Sequence, residues 1–360
     1  MLPVYKNEAL SAPLQIDLNL TNRCNLNCHY CYASANENKE KELTLKEINS
    51  LFEEFAKMGV LKVALSGGEP LIRNDIEKIL LLTTKYPFAT ILLTNGTLLT
   101  HTIVKTIKKS EISLIAVSLE GSTPVLHDKI RMSINSFKDV LKGVALLKEE
   151  KIPFAIGTTL NSLNIKDIFN IIKLANKLGA ELFAIQVLCP TGRVEENLGI
   201  IPSRKDYENF FLKLTDLKIQ GKLPVKVKLN VTNEAPVFWE YYYPLANNDR
   251  INDLFKVWGS DFNTDTQDQI TCVAGRKVCS IASNGDVFPC EMFLSKQSLV
   301  AGNIRKQKFK QIWKNSLILK KFRNLTKDKL TGSCKKCHYK WCGGGCLAAG
   351  DNHCFYAQKV

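Results

Sequence analysis

Three cysteines fall in one short stretch, Cys24-Asn25-Leu26-Asn27-Cys28-His29-Tyr30-Cys31, at C-x3-C-x2-C spacing. Three thiolates from one loop can hold three irons of a 4Fe-4S cube and leave the fourth free of protein, open to a small chelating molecule. That open iron is a place for chemistry rather than for electron storage alone. The loop follows Leu14 to Leu20, which alternates apolar and polar residues at period two and predicts a strand that anchors it. A zinc site completed by His29 is the other chemistry the spacing allows, although structural zinc sites usually pair C-x2-C knuckles.

Eight more cysteines gather toward the C-terminal end, at 272, 279, 290, 334, 337, 342, 346 and 354, which is two sets of four. Asn284-Gly285, a strong hairpin signal, lies between the runs Lys277 to Ala282 and Val287 to Phe288, so Cys290 is expected at the end of a returning strand. Four-cysteine sites with C-x2-C knuckles are also a common zinc pattern. Of the twelve cysteines, Cys189 is left over. It reads as a small buried hydrophobe near the mouth of the site, with a reactive or ligating thiol as the other possibility.

The elements that must position these groups follow from periodicity. After Leu14 to Leu20 the pattern predicts a helix near Thr44 to Met58, with Thr44 as N-cap, Glu47 completing a capping box and Gly59 ending it. Strand-like and helix-like runs then alternate: Lys62 to Leu65, Asp75 to Lys85, Ala89 to Leu93, Thr102 to Lys108, Leu114 to Leu119, Asn135 to Glu149, Phe154 to Thr159, Lys166 to Leu178 and Leu182 to Leu188. Six strands separated by helices argue for parallel pairing with right-handed crossovers, two units short of a closed eight-unit barrel. Residues 194–270 read as a linker that shapes a cavity, with a helix near Ser203 to Leu217, an alternating run Val225 to Val231 and a packing stretch Phe238 to Tyr243. A helix-like segment, Gln307 to Phe322, precedes the last cysteines.

These motifs together resemble the radical S-adenosylmethionine (SAM) superfamily, whose signature loop is C-x3-C-x2-C with an aromatic residue, here Tyr30, before the last cysteine. Ser66-Gly67-Gly68-Glu69-Pro70 is similar to the family's GGEP motif, which approaches the methionine amino group of SAM. Thr94-Asn95-Gly96, Ser118-Leu119-Glu120-Gly121, His127-Asp128-x2-Arg131 and Gln186 fall at or after strand ends. The resemblance implies that Ser118 contacts the SAM ribose and that Arg131 reaches its carboxylate. It also implies a six-stranded partial (βα)6 barrel in residues 1–193, open on one side for a large substrate. Cys189-Pro190-Thr191-Gly192-Arg193 resembles the P-x-G-R turn of peptide-modifying members. The C-terminal cysteines resemble a SPASM domain in residues 271–360, with a middle gap of four residues where five is usual. That likeness implies two auxiliary 4Fe-4S clusters, one on Cys272, Cys279, Cys290 and Cys346, the other on Cys334, Cys337, Cys342 and Cys354. Glu291, beside Cys290, stands where sulfatase-maturating relatives carry a catalytic aspartate, and so is the candidate base.

Composition agrees with an enzyme. A chain of 360 residues with 45% hydrophobic content can bury a large core. It shows neither a long apolar run nor a signal segment, so a cytoplasmic protein without a membrane span is expected, its cysteines serving metal rather than disulfides. The formal charge of +14 falls to about +9 with three loaded clusters, and its lysines are dispersed rather than blocked, which argues against nucleic acid. The resemblance implies reductive cleavage of SAM to a 5'-deoxyadenosyl radical that abstracts hydrogen from a peptide or protein, with an electron donor such as flavodoxin or ferredoxin. Only about thirteen residues precede the first strand, so a separate leader-binding protein is an expected partner. Tetrapyrrole modification in a heme pathway and sulfatase maturation are the alternatives, and a zinc-stabilised RNA-binding protein is the non-enzyme one.

Overall fold

The computed structural model describes residues 10–37, 41–230, 239–259, 270–337, 343–350 and 354. Each alternating run of the first half becomes the element its period predicts. Strands β1 (Gln15–Asn19), β2 (Lys62–Ser66), β3 (Ala89–Thr94), β4 (Leu114–Ser118), β5 (Phe154–Leu160) and β6 (Leu182–Val187) pair in parallel in chain order. Between them run α1 (Leu45–Met58), α2 (Ile76–Thr83), α3 (His101–Lys109), α4 (Pro124–Arg131), α5 (Ser136–Glu149) and α6 (Ile168–Leu178). The capping box of α1 forms, with the Thr44 hydroxyl accepting from Glu47 N–H and the Glu47 carboxylate accepting from Thr44 N–H. Gly59 ends the helix at φ +81°, a left-handed conformation that glycine adopts without a Cβ clash.

The six-strand parallel series continues at both edges. After α7 (Arg204–Ile219), capped by Ser203, strand β7 (Lys226–Leu229) joins β6 in parallel. At the other edge β8 (Val278–Ile281) lies parallel to β1, and β9 (Asp286–Phe288) and β10 (Gly302–Asn303) follow antiparallel. One ten-stranded sheet results. The hairpin expected at Asn284-Gly285 is there, with Gly285 at φ +90°. β8 supplies partners for the backbone groups of β1 that an edge would leave open.

Val231 and Phe238 lie outside the described residues. The rest of the aromatic stretch enters α8 (Trp239–Ala246), followed by α9 (Ile251–Trp258), and Tyr241, Tyr242 and Tyr243 are buried, as packing residues should be. The helix expected from Gln307 to Phe322 is two helices, α10 (Phe309–Asn315) and α11 (Leu317–Arg323). They meet at Ser316, whose hydroxyl caps α11, because a serine that can bond a nearby N–H competes with helix continuation. A short helix, α12 (Gly332–Lys335), carries Cys334. No helix among the described residues is long and apolar enough to cross a membrane.

The helices cover one face of the sheet, and the C-terminal elements dock on the same layer. Phe309 of α10 meets Phe55 of α1 edge to face, with centroids 5.3 Å apart, and Trp313 Nε1 donates to the Leu10 carbonyl at 2.9 Å. Phe309 is fully buried. Phe309→Ala is therefore expected to destabilise the chain by about 3–5 kcal/mol, the usual range for emptying a buried aromatic site, measurable as an earlier midpoint in denaturant-induced unfolding followed by circular dichroism.

Candidate active site

Inside the curve of the sheet the strands carry small or polar side chains: Asp17, Ser66, Ala116, Ser118, Gly157 and Thr159. Alternation sends their neighbours, such as Ile16, Leu18, Ile115 and Ile156, into the core beneath the helices. Small inward residues leave a cavity of about 570 Å³. All three cysteines of the first loop line it, as do Cys189, Cys272, Cys290, Cys334, Cys337, Cys346 and Cys354. Cys342 lies outside the described residues.

The first cysteine loop is held from several sides. Each of its sulfurs has a donor at hand: Leu26 N–H at 3.4 Å and Asn95 Nδ2 at 3.9 Å for Cys24, Arg131 Nη1 at 3.3 Å for Cys28, Ala35 N–H at 3.5 Å for Cys31. Donors aimed at cluster sulfurs help set the potential of the metal they hold. Arg193 adds three contacts from the turn after β6. Its N–H donates to Cys31 O at 3.1 Å, Nη1 donates to Cys28 O at 3.2 Å, and Nη2 donates to Ala35 O. Gly192 must be glycine there, since it sits at φ +60° and a Cβ would stand 2.4 Å from Cys31 O.

The Gly-Gly-Glu turn is tied to the same loop. A Cβ on Gly67 would come within 2.3 Å of Thr21 O, and one on Gly68 within 2.2 Å of Arg23 O. Gly68 N–H and Glu69 N–H donate to those two carbonyls at 2.7 and 2.9 Å. The glycines thus admit the backbone leading into the cysteines, a role in addition to the ligand approach expected of them. Glu69 is fully buried, and Pro70 starts a short 3-10 turn beside it. Its carboxylate accepts from Leu71 N–H, Thr94 Oγ1 and Asn95 N–H, so it fixes the turn after β3 as well as its own. Burial pushes its carboxyl above the usual range, and those three donors pull it back. Asn95 passes the order on by donating to Asn25 Oδ1 at 2.9 Å.

The histidine motif divides its labour. His127 Nδ1 accepts from Glu120 N–H at 3.1 Å, and burial pushes its imidazole down to about 3, so it is neutral. Asp128 accepts from Asn135 N–H, Ser136 Oγ and Phe137 N–H and shapes the start of α5. Arg131 reaches inward, to Cys28 Sγ and to Glu120 Oε1 at 3.3 Å, with its guanidinium 5.7 Å from the Tyr30 ring centroid. Tyr30 OH donates to the same Glu120 oxygen at 2.7 Å. Ser118 and Gln186 lie on the cavity wall.

Across the cavity, Glu291 follows Cys290 and lines the wall beside Asp17 of β1. Periodicity read Asp17 only as the polar position of a strand, since nothing along the chain shows that β8 will bring Glu291 to it. Burial, and then the adjacent Glu291 carboxyl to which it is hydrogen-bonded, hold the Asp17 carboxyl well above the usual range, while Gln15 Nε2, donating at 2.8 Å, pulls the other way. Glu240 of α8 is a second unforeseen acid: it lines the cavity, its Oε2 has no hydrogen-bond partner among the described residues, and burial raises it too. The signal was a carboxylate inside the run Trp239 to Tyr243. Cys279 alone of the described candidate ligands does not line this cavity.

The raised Asp17 value carries a sign. A carboxyl lifted in the folded state favours folding below its unfolded value and loses that advantage as pH rises through the folded one. The metal-free chain should therefore lose stability as pH climbs above the ordinary aspartate range, and Asp17→Asn should flatten that decline by at most about 1.4 kcal/mol per pH unit, read from melting temperatures taken from about pH 4 to pH 8.

The first donor set fits an iron-sulfur cube. The first three thiols share one cavity wall and feel one another's charge, yet no three donors among the described residues gather closely enough for a single ion. A profile of the radical SAM superfamily matches residues 18–175, and one of the SPASM iron-sulfur cluster-binding domain matches residues 272–338. An AdoMet-dependent heme synthase of Methanosarcina barkeri is 33% identical over 339 residues, 94% of this chain and 92% of that protein. The mycofactocin maturase MftC of Mycobacterium tuberculosis is 27% identical over 343 residues, 94% of this chain and 80% of that protein. Among solved structures, Streptococcus suis SuiB bound to S-adenosylmethionine superposes at a TM-score of 0.73 with 20% identity, covering 94% of this chain and 74% of that one. The first domain therefore binds a 4Fe-4S cluster and SAM, the second binds auxiliary clusters, and the RNA-binding alternative falls. With its cysteine loop, its Gly-Gly-Glu turn and its cysteine-rich C-terminal hairpin held around one cavity, the chain belongs to the radical SAM enzymes that carry a SPASM domain.

Proposed function

We propose that this enzyme acts on an iron porphyrin, converting propionate side chains to vinyl groups as the making of heme requires. The observation that supports this most is the likeness to the heme synthase, which is stronger and spans more of that relative than the likeness to the mycofactocin maturase. Leu188, Ile201, Val273 and Met292 give the cavity an apolar wall that suits a flat, mostly apolar ligand, and Lys327 adds a positive charge to the lining. SAM, when seated on the open iron, supplies a 5'-deoxyadenosyl radical that takes hydrogen from an unactivated C–H bond. The protein's part is to hold reactants. The Gly67-Gly68-Glu69 turn and Asn95 frame the site beside Cys24 with Pro70 buried behind the turn, Ser118 serves the ribose, Gln186 lines the wall as well, and the apolar lining excludes water. Loss of one hydrogen atom to that radical, with one electron and carbon dioxide from the propionate carboxylate, leaves a vinyl group, and the electron is one that an auxiliary cluster would accept. A small donor such as a flavodoxin or ferredoxin supplies the electron that starts each turnover.

Maturation of a ribosomally made peptide is the second reading, supported by the maturase relative. It calls for a peptide substrate, with a separate leader-binding protein as partner. In that reading Glu291 is the catalytic base, taking the proton released when a radical product is oxidised.

Anaerobic incubation of the reduced, cluster-loaded enzyme with SAM and either an iron porphyrin bearing four propionates or candidate precursor peptides decides between them by product mass. The porphyrin is expected to lose a carboxyl group for each vinyl formed, and an unchanged porphyrin beside a modified peptide rejects the first reading. Glu291→Gln separates them again. Vinyl formation releases carbon dioxide in place of a proton and should survive the change within about tenfold, whereas peptide oxidation should fall by about 10²-fold or more while SAM cleavage continues.

A further inference from the structure

Cys189 stands directly after β6, at the C-terminal end of the barrel, where ligands to the substrate side are expected. Its sulfur is 3.7 Å from that of Cys346, a residue 157 positions away in the SPASM domain. Both line the cavity together with Cys272 and Cys290. The four are neighbours: Cys189 feels the charge of Cys346 and Cys290, Cys290 that of Glu291 and then of Cys272 and Cys346, and Cys272 that of Cys346.

Cys279 has no such company. β8 alternates, so Val278 turns to the cavity while Cys279, in register with Ile16, is fully buried in the core beneath the helices. Its charged neighbours among the described residues are Asp17 and Arg323, with no cysteine among them. Moving its sulfur to the cavity would take a one-residue slip of β8, which would flip every side chain of a strand pinned between β1 and β9. The Cys346 side has freedom that β8 lacks: Gly343, Gly344 and Gly345 precede it with φ of +52°, +89° and +59°, a turn able to part the two sulfurs to the wider spacing of a cube.

We propose that Cys189, not Cys279, is the fourth thiolate of the auxiliary cluster held by Cys272, Cys290 and Cys346. The cluster would then be held across the two domains, by one thiolate from the barrel and three from the SPASM segment. Cys279 is a core residue that binds no iron.

The test uses the full chain with Cys24, Cys28 and Cys31 all changed to Ala, so that only auxiliary clusters remain, reconstituted without oxygen. This background should hold about eight irons. Adding Cys189→Ala is expected to alter the electron paramagnetic resonance signal of one reduced cluster and to cost up to about four irons per chain; adding Cys279→Ala should change neither. An unaltered signal and iron count with Cys189→Ala, or iron loss with Cys279→Ala alone, overturns the assignment. If Cys189→Ala does not fold, thiol alkylation of the parent background decides: Cys189 should become reactive in step with Cys272, Cys290 and Cys346 as a chelator removes iron, and reactivity before iron removal overturns the proposal.

Discussion

Leaving one iron of a cube without a protein ligand requires the other three to be gripped by a loop that cannot rearrange to cover it. Eight residues cannot stiffen themselves that far, so the rigidity comes from outside the loop. Arg193 takes three carbonyls of residues 28–35, the paired glycines let the backbones of residues 21–23 and 67–69 lie against each other, and the Tyr30, Glu120 and Arg131 contacts hold the far side. Apart from Tyr30, these groups come from the turns after β2, β4 and β6 and from the end of α4. The barrel scaffold is needed because only parallel strands deliver that many turns to one edge.

The second constraint is the shared sheet. By pairing β8 with β1, the fold makes the cysteine-rich segment an extension of the barrel rather than an appendage on a linker. Relative motion of the two cysteine sets would have to break backbone hydrogen bonds along β1, and the docking of α10 on α1 opposes it as well. Distances between metal sites are thereby set by strand spacing, a stiffer ruler than a tether of side chains.

The same juxtaposition buries acids. Asp17, Glu69, Glu120 and Glu240 all face one cavity and all have carboxyls raised by burial. Glu69 and Glu120 are repaid by donors that fix turns, Glu120 through Tyr30, Arg131 and Thr159 N–H. Asp17 and Glu240 are less well provided, and buried polar groups kept at such a cost belong to sites of function.

Much of this was legible along the chain. The C-x3-C-x2-C spacing, the period-two and period-3.6 alternation and the Thr44 capping box are local signals, because each depends on residues within a turn or two of one another. They determined the six parallel strands, the first cysteine loop and the hairpin at Asn284-Gly285. Counting and likeness also marked eight C-terminal cysteines as ligands, but counting has no direction. Whether Cys279 or Cys189 faces the cavity depends on which face of β8 looks inward and on where β6 ends relative to Cys346, and both follow from pairings between residues more than 150 positions apart. For the same reason Asp17 reads as an ordinary strand position until β8 sets Glu291 beside it. Only the tertiary structure decided these, because period two tells the two faces of a strand apart without saying which one a distant partner will cover.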